Sequence, residues 1–226
     1  MSVDRDKVVS VHEAGHAVAA WYCTIVGEVQ TATIDPSPVM WGGPFLGGYV
    51  THWILAKATH ACWCGAVIDL AGFAAEAMVL GAARTSPSSE DLLSALDNVR
   101  HGGPDFPWSE GKAGEDIDFT RYFAKGIADV EANGLRASYR MARFVLGAHE
   151  ARLATLADRL RAVRTMQSKQ IEAVLGPRSA IVALGHVSFR GRFIAGGADD
   201  ANVVAQGLMD RIAGRIRRVA ASFGVD

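Results

Sequence analysis

The chain has 226 residues, 50% of them hydrophobic and 21% charged, and its formal net charge is −1. This is the composition of one globular domain, with or without an appendage; it excludes a disordered chain and gives no reason to expect a nucleic-acid partner. The N-terminus lacks the basic and apolar regions of a signal peptide. Three cysteines without an export signal favour reduced thiols and a cytoplasmic location.

The first predicted element is a helix from about Asp4 to Tyr22, in which apolar residues recur at helical spacing and Asp4 is the N-cap. Gly27 is expected close to the end of this helix. A strand is predicted over Glu28–Asp35, and a second over Phe45–Trp53 after a loop rich in proline and glycine. We expect the two strands to pair as a hairpin.

A long buried helix is predicted from Ala56 to Leu80, closed by Gly81. It includes the most apolar stretch of the chain. That stretch carries Asp69 and Glu76, and two acids within a membrane span would be costly. The segment is therefore interpreted as a core helix, and no transmembrane segment is predicted.

Four more helical segments follow. One, capped by Ser88 or Ser89, runs to about Arg100, and helical pattern resumes at Ile117. The apolar stripes predicted for the later helices are Phe119, Phe123, Ile127 and Val130, then Leu135, Tyr139, Phe144 and Leu146, then Leu153, Leu156, Leu160 and Val163. A short helix ends at Gly176. Residues 177–226 change in character, and we predict a C-terminal extension of short β or irregular chain followed by a basic amphipathic helix.

The segment HEAGH, residues 12–16, matches the pattern H-E-x-x-H on the first predicted helix. Residues four apart lie on one helix face, so the imidazoles of His12 and His16 can reach one Zn²⁺ at about 2.0–2.1 Å. Glu13 points to the neighbouring side, where it can take a proton from a zinc-activated water and pass it to the leaving amine of a peptide. The pattern predicts a metallohydrolase with Zn²⁺ as cofactor and Glu13 as its catalytic residue.

A catalytic zinc site needs a third protein ligand, and spacing alone does not choose it. Glu76 has the alternative role of a buried acid that orients a ligand histidine. The candidates are Glu76, Asp91, Asp97, His52 and His60.

The sequence H-x-C-x-C of His60, Cys62 and Cys64 suggests a second metal site. Positions i, i+2 and i+4 do not share a helix face, however, so core thiols are the favoured interpretation.

Several segments, in order, resemble the peptidase domain of the FtsH-type zinc metallopeptidase family. They are VVSVHEAGHAVAAW, TATIDPS, GGYV, DLAGFAAEAMVLG and TSPSSEDLLSA, and the resemblance covers roughly residues 5–103 and 116–176. It implies a mainly α-helical, zincin-like peptidase domain over residues 1–176, with a small β-hairpin or sheet beside the HEAGH helix. It also implies that Asp91 is the third zinc ligand, with His12 and His16.

The chain departs from the family at several positions. Phe73 stands in place of an arginine, Ala77 in place of a second glutamate, and Pro87 where glycine is usual. These departures affect the expected substrate geometry more than the metal site. The strand Ala32–Asp35 is expected either to bind an extended substrate by backbone pairing or to be a plain structural edge.

The predicted function is that of a zinc metalloendopeptidase acting on unfolded or flexible polypeptides. Because the sequence contains no GxxxxGK[ST] phosphate loop, we expect activity independent of ATP, with a separate ATPase, unfoldase or adaptor as a partner. The family resemblance suggests a homo-oligomer. The alternatives are a catalytically inactive, zinc-binding pseudo-peptidase that serves as an adaptor, and a metallohydrolase acting on a non-protein amide.

Overall fold

The computed structural model describes residues 4–23, 26–36, 48–54, 59–83, 90–102, 119, 123, 126–178 and 223. The elements of this part of the chain are α1 (Arg5–Tyr22), β1 (Val26–Thr33), β2 (Tyr49–Ile54), α2 (Thr59–Leu80), α3 (Glu90–Gly102), α4 (Asp129–Ala148), α5 (Glu150–Val163), β3 (Thr165–Gln167) and α6 (Ser168–Leu175). The fold is mainly α-helical with one small sheet, as the sequence predicts.

The helix α1 begins and ends where the sequence places it. The carboxylate of Asp4 accepts a hydrogen bond from the backbone N–H of Lys7 at 3.2 Å, which confirms the predicted N-cap. Tyr22 is confirmed as the last residue of the helix, whereas Gly27, expected close to that end, already lies in β1. The helix ends at Tyr22, and Arg178 donates hydrogen bonds to the carbonyl groups of Trp21 in the last turn and of Cys23 just beyond the end, each at 3.1 Å.

The sheet has the order β2-β1-β3, and both pairings are antiparallel. The β1–β2 pair confirms the predicted hairpin, although β2 begins at Tyr49 and residues 45–47 lie outside the described part. The strand β3 was not expected. It pairs Ala32 with Met166, while Val50 pairs with Ala32 from the other side. The prediction that residues 32–35 present a free edge to substrate is therefore wrong at Ala32 and Thr33, which have strands on both sides.

The helix α2 is the centre of the core and packs against α1, α3 and α4. Its contact with α1 is close because Gly15 has no side chain: a Cβ there would collide with the Ala71 carbonyl and lie 2.7 Å from the Ala75 Cβ. By length and composition the segment Cys62–Leu80 is able to cross a membrane, but 72% of it is buried inside the fold. That burial is typical of a core helix.

The helix α4 begins later than the sequence predicts. Residues 126–128 are not helical, and Gly126 has a φ of +73°, so the prediction of a helix running from Ile117 through Ile127 is wrong. The helix begins at Asp129, after Ala128, whose backbone N–H donates to the Glu131 carboxylate at 2.8 Å. Residues 117–118, 120–122 and 124–125 lie outside the described part.

The apolar side chains of α4 divide between the core and the solvent. Leu135, Tyr139 and Leu146 are buried as predicted, but Val130 and Phe144 are each 51% exposed, so their assignment to apolar stripes is wrong. On α5, Leu153, Leu156 and Leu160 are buried, whereas Val163 at the last turn is exposed.

The predicted boundary after residue 176 stays a prediction, because residues 179–222 and 224–226 lie outside the described part. Phe223, which belongs to the predicted extension, is buried with the core.

Candidate metal centre

Two histidines of α1 and one acid of α3 converge at a buried point beside α2. The Nε2 atoms of His12 and His16 lie 3.0 Å apart. The Asp91 Oδ2 atom lies 3.1 Å from Nε2 of His12 and 3.7 Å from Nε2 of His16. One ligand atom from each residue thus lies within 4.8 Å of the other two, a grouping able to hold a metal ion. The structure brings together the three residues that the sequence and the resemblance single out.

The outer nitrogen of each imidazole has its own acceptor on α2. Nδ1 of His12 lies 2.6 Å from Oε1 of Glu76, and Nδ1 of His16 lies 2.7 Å from the carbonyl oxygen of Ile68. When Nδ1–H donates to these acceptors, the lone pair of each neutral ring is at Nε2, which faces the point of convergence. Of the two roles open to Glu76, the structure thus favours orientation of His12.

Gly72 of α2 provides the space that the two rings occupy. A Cβ at this position would lie 2.5 Å from Cε1 and Nε2 of His12 and 2.6 Å from Nε2 of His16. Gly72 was not predicted to belong to the site. The signal that was present is its position on the face of α2 that also carries Glu76, four residues later.

The charges of the three converging groups favour a cation between them. Burial lowers the pKa of His12, but its hydrogen bonds with Asp91 and Glu76 outweigh burial and raise that pKa to about 10. Burial raises the pKa of Asp91, but the neighbouring His16 and the hydrogen bond with His12 together hold it well below its usual range. In the metal-free protein, protons provide the positive charge that a divalent cation would provide.

Glu13 lies beside this group, buried between α1 and the chain that leads into β2. A Cβ at Gly48 would lie 2.7 Å from Cγ of Glu13, so the backbone passes close to this acid. Burial raises the pKa of Glu13 to about 7, although the charges of His12 and His16 oppose the rise. A carboxyl group with a pKa near neutrality is suited to accept and release a proton in a reaction.

The other candidate ligands are not brought to this point within the described residues. The side chain of Asp97 is 70% exposed and faces His101, whose Nδ1 atom is 3.4 Å away. The side chains of His52 and His60 lie outside the described part. Cys62 is half-buried and Cys64 is buried, as core thiols are, and the second metal site stays an untested alternative.

Two histidines one turn apart, an acid from a second helix and a further buried acid beside them are residue types that metal-dependent hydrolases use at their centres. The chain is similar to "ATP-dependent zinc metalloprotease YME1L" of Drosophila melanogaster, with 28% identity over 187 residues. The match covers 76% of this chain and 24% of the relative's length. No family model matches the chain. The comparison thus supports a resemblance to zinc metalloproteases.

Proposed function

We propose that this chain is a zinc-dependent metalloendopeptidase. The observation that carries the proposal is the convergence of Nε2 of His12, Nε2 of His16 and Oδ2 of Asp91. Imidazole nitrogens and a carboxylate oxygen are donors that Zn²⁺ accepts, and three protein ligands leave one position open. That open position distinguishes a catalytic zinc site from a structural one.

The residues at the centre have separate tasks in peptide hydrolysis. A bound Zn²⁺ supplies a Lewis acid and lowers the pKa of water towards neutrality. Glu76 and the Ile68 carbonyl hold the two imidazoles so that each Nε2 faces the point at which the cation would bind. Glu13 accepts a proton at its carboxylate and returns it to the leaving amine of the peptide.

An extended polypeptide is the substrate that the surroundings of Glu13 favour. In the described part of the sheet β2 pairs only with β1, so its other edge is open to strand addition. The residue before β2, Gly48, lies against Glu13. A segment paired with β2 would therefore bring its backbone towards the acid, and unfolded or flexible segments can adopt the extended conformation that this pairing needs.

No step of this chemistry consumes a nucleotide. We therefore propose that hydrolysis by this chain is independent of ATP, and that a folded substrate requires a separate unfoldase or adaptor. The cytoplasmic location and the homo-oligomer stay predictions from the sequence.

The substitution Glu13→Gln tests the proposal, because glutamine keeps the size of the side chain but cannot act as a base. We expect casein cleavage to fall by about 10²–10⁴-fold while zinc content stays at the wild-type level. The matched control is Glu172→Gln on α6, an exposed position that should leave cleavage unchanged. Addition of ATP to the wild type should not change its rate.

Each alternative function has its own outcome in this experiment. If the wild type and the Glu13→Gln variant both hold zinc and neither cleaves polypeptides or small amides, the adaptor alternative is correct. Cleavage of small amides without cleavage of casein supports the alternative of a metallohydrolase that acts on a non-protein amide. Equal cleavage by the two proteins contradicts the role of Glu13, and stimulation of the purified wild type by ATP contradicts the proposed independence.

A further inference from the structure

The position of α3 decides whether Asp91 reaches the histidines. The groups that hold the two imidazoles belong to α2, whereas Asp91 is the second residue of α3. The buried side chains of α3 include Leu92, Leu96 and Val99. Apolar burial of this kind is non-directional, so it holds α3 on the fold without fixing its position along α2. Directional contacts are needed for that.

Asp69 of α2 makes two such contacts with α3. Its Oδ2 atom accepts a hydrogen bond from Oγ of Ser94 at 2.8 Å and another from Nδ2 of Asn98 at 2.9 Å. Ser94 and Asn98 are four residues apart and therefore lie on one face of α3 in successive turns. One carboxylate oxygen thus holds two turns of α3, which restricts both sliding and rotation of that helix.

Gly65 of α2 forms a notch that receives Asn98. A Cβ at this position would lie 2.8 Å from Nδ2 of Asn98 and 3.0 Å from its Cγ and Oδ1 atoms. The notch therefore admits the Asn98 amide only because residue 65 is glycine.

The notch and the acid belong to one stripe of α2 that continues to the histidines. Its members, at helical intervals of four, three and four residues, are Gly65, Asp69, Gly72 and Glu76. One end of the stripe holds α3, and the other end makes room for and orients the imidazoles. Ser94 lies one turn after Asp91 on α3, so its hydrogen bond with Asp69 is close to Asp91, the metal ligand that this helix supplies.

We infer that Asp69 is a positioning residue, which, through Ser94 and Asn98, sets the place of Asp91 in the candidate metal centre. The inference rests on the zinc site of the proposed function. Burial raises the pKa of Asp69 to about 7, which shows that its surroundings disfavour the charged form. An apolar residue would avoid that cost, so plain packing does not account for an acid at this position.

The test compares the substitutions Asp69→Ala and Asp69→Asn by competition with a chromophoric zinc chelator. Alanine removes the acceptor, and we expect zinc to bind about tenfold more weakly. Asparagine keeps one acceptor oxygen for both donors, so it should restore an affinity close to that of the wild type. The control is Arg100→Gln, which breaks the hydrogen bond between Arg100 and Glu131 that joins α3 to α4, and which should leave zinc affinity unchanged.

A double-mutant cycle with Asp91→Ala separates positioning from general destabilisation. If Asp69 acts through Asp91, the Asp69→Ala change costs no further zinc affinity once Asp91 is alanine. If Asp69→Ala costs as much zinc affinity in the Asp91→Ala protein as it does in the wild type, the inference is overturned. An equal loss of zinc affinity in the Asp69→Asn and Asp69→Ala proteins would also overturn it. Should Asp69→Ala fail to fold, the exposed change Ser94→Ala and the change Asn98→Ala provide the same cycle from the α3 side.

The outcomes also separate this inference from the proposed function. A wild type that holds no zinc overturns the proposed function, and the inference falls with it. A wild type that holds zinc, together with an Asp69→Ala protein of unchanged affinity, overturns the inference alone.

Discussion

At Gly72, α2 passes so close to the imidazoles of His12 and His16 that any side chain would take their place. We predict that Gly72→Ala displaces both rings and abolishes zinc binding. The control is Gly147→Ala on α4, where a Cβ would meet nothing within 4 Å. That change should keep zinc binding and raise the stability slightly, by at most about 1 kcal/mol, because alanine favours a helix more than glycine does.

Zinc content after dialysis and thermal unfolding of the two variants provide the check. An alanine at position 72 that leaves zinc stoichiometry intact would show that the rings do not need this space.

The sequence contains different amounts of information about different residues of the site. His12, Glu13 and His16 form a local pattern on one helix, so spacing alone identifies them. Asp91 lies on another helix, and only the resemblance singled it out among five candidates. The residue types of Ile68 and Gly72 do not identify them, since one acts through its backbone carbonyl and the other through the absence of a side chain. The position of Gly72 on the face that carries Glu76 was the one signal in the sequence.

At the scale of elements, Arg164 joins three parts of the chain at the turn between α5 and β3. Its guanidinium donates hydrogen bonds to Asp35, after β1, at 2.6 Å and to Asp6 of α1 at 2.8 Å. The hydrogen bond with Arg164 lowers the pKa of Asp6 from its ordinary value of 3.8, against the weaker opposing effect of burial. The strand β3 begins directly after this residue, so the contacts help to hold it beside β1.

A lowered pKa gives a definite sign to the pH dependence of stability. The stabilisation from ionised Asp6 is fully present above pH 3.8 and is lost as the pH falls through the lower pKa of the folded protein. We predict that Asp6→Asn is slightly less stable than the wild type at pH 7, and that the difference closes below pH 3.8. The effect is small because both partners are exposed to solvent.

Urea unfolding of the two proteins from pH 7 to pH 2 measures this difference. The control is Asp158→Asn, an exposed acid on α5. A difference between Asp6→Asn and the wild type that persists unchanged at the lowest pH contradicts the predicted role of the charge.

The boundaries of the elements show why local pattern has limits. Asp4, Gly81 and Gly176 were identified because caps and closing glycines have strong local preferences. The strand β3 was missed because three residues, Thr165–Gln167, are too few for their alternation to be recognised, and because the strand is held by pairing with β1, far away in sequence. Val130 was misassigned because the apolar spacing was continued from residues 119–127, which are not part of α4. Phe144 was misassigned because it lies five residues after Tyr139 and two before Leu146, and residues at those distances do not share a helix face.

At the scale of the whole molecule, the site is assembled on α2. This helix supplies Glu76 and the Ile68 carbonyl to the histidines of α1, and Asp69 to the helix that carries Asp91. The mainly helical class was predictable because helical periodicity recurs along most of the chain. The packing order was not, because periodicity shows that a face is buried without showing against which element.

The most direct test of the central claim is X-ray absorption spectroscopy of the zinc-loaded wild type and of the Asp91→Ala variant. The account predicts two imidazole nitrogens at about 2.0–2.1 Å and a carboxylate oxygen at about 2.0–2.2 Å in the wild type, at one zinc per chain. It also predicts that the variant loses most of its zinc. A wild type whose zinc has fewer than two imidazole ligands, or a variant with undiminished zinc content, would contradict it.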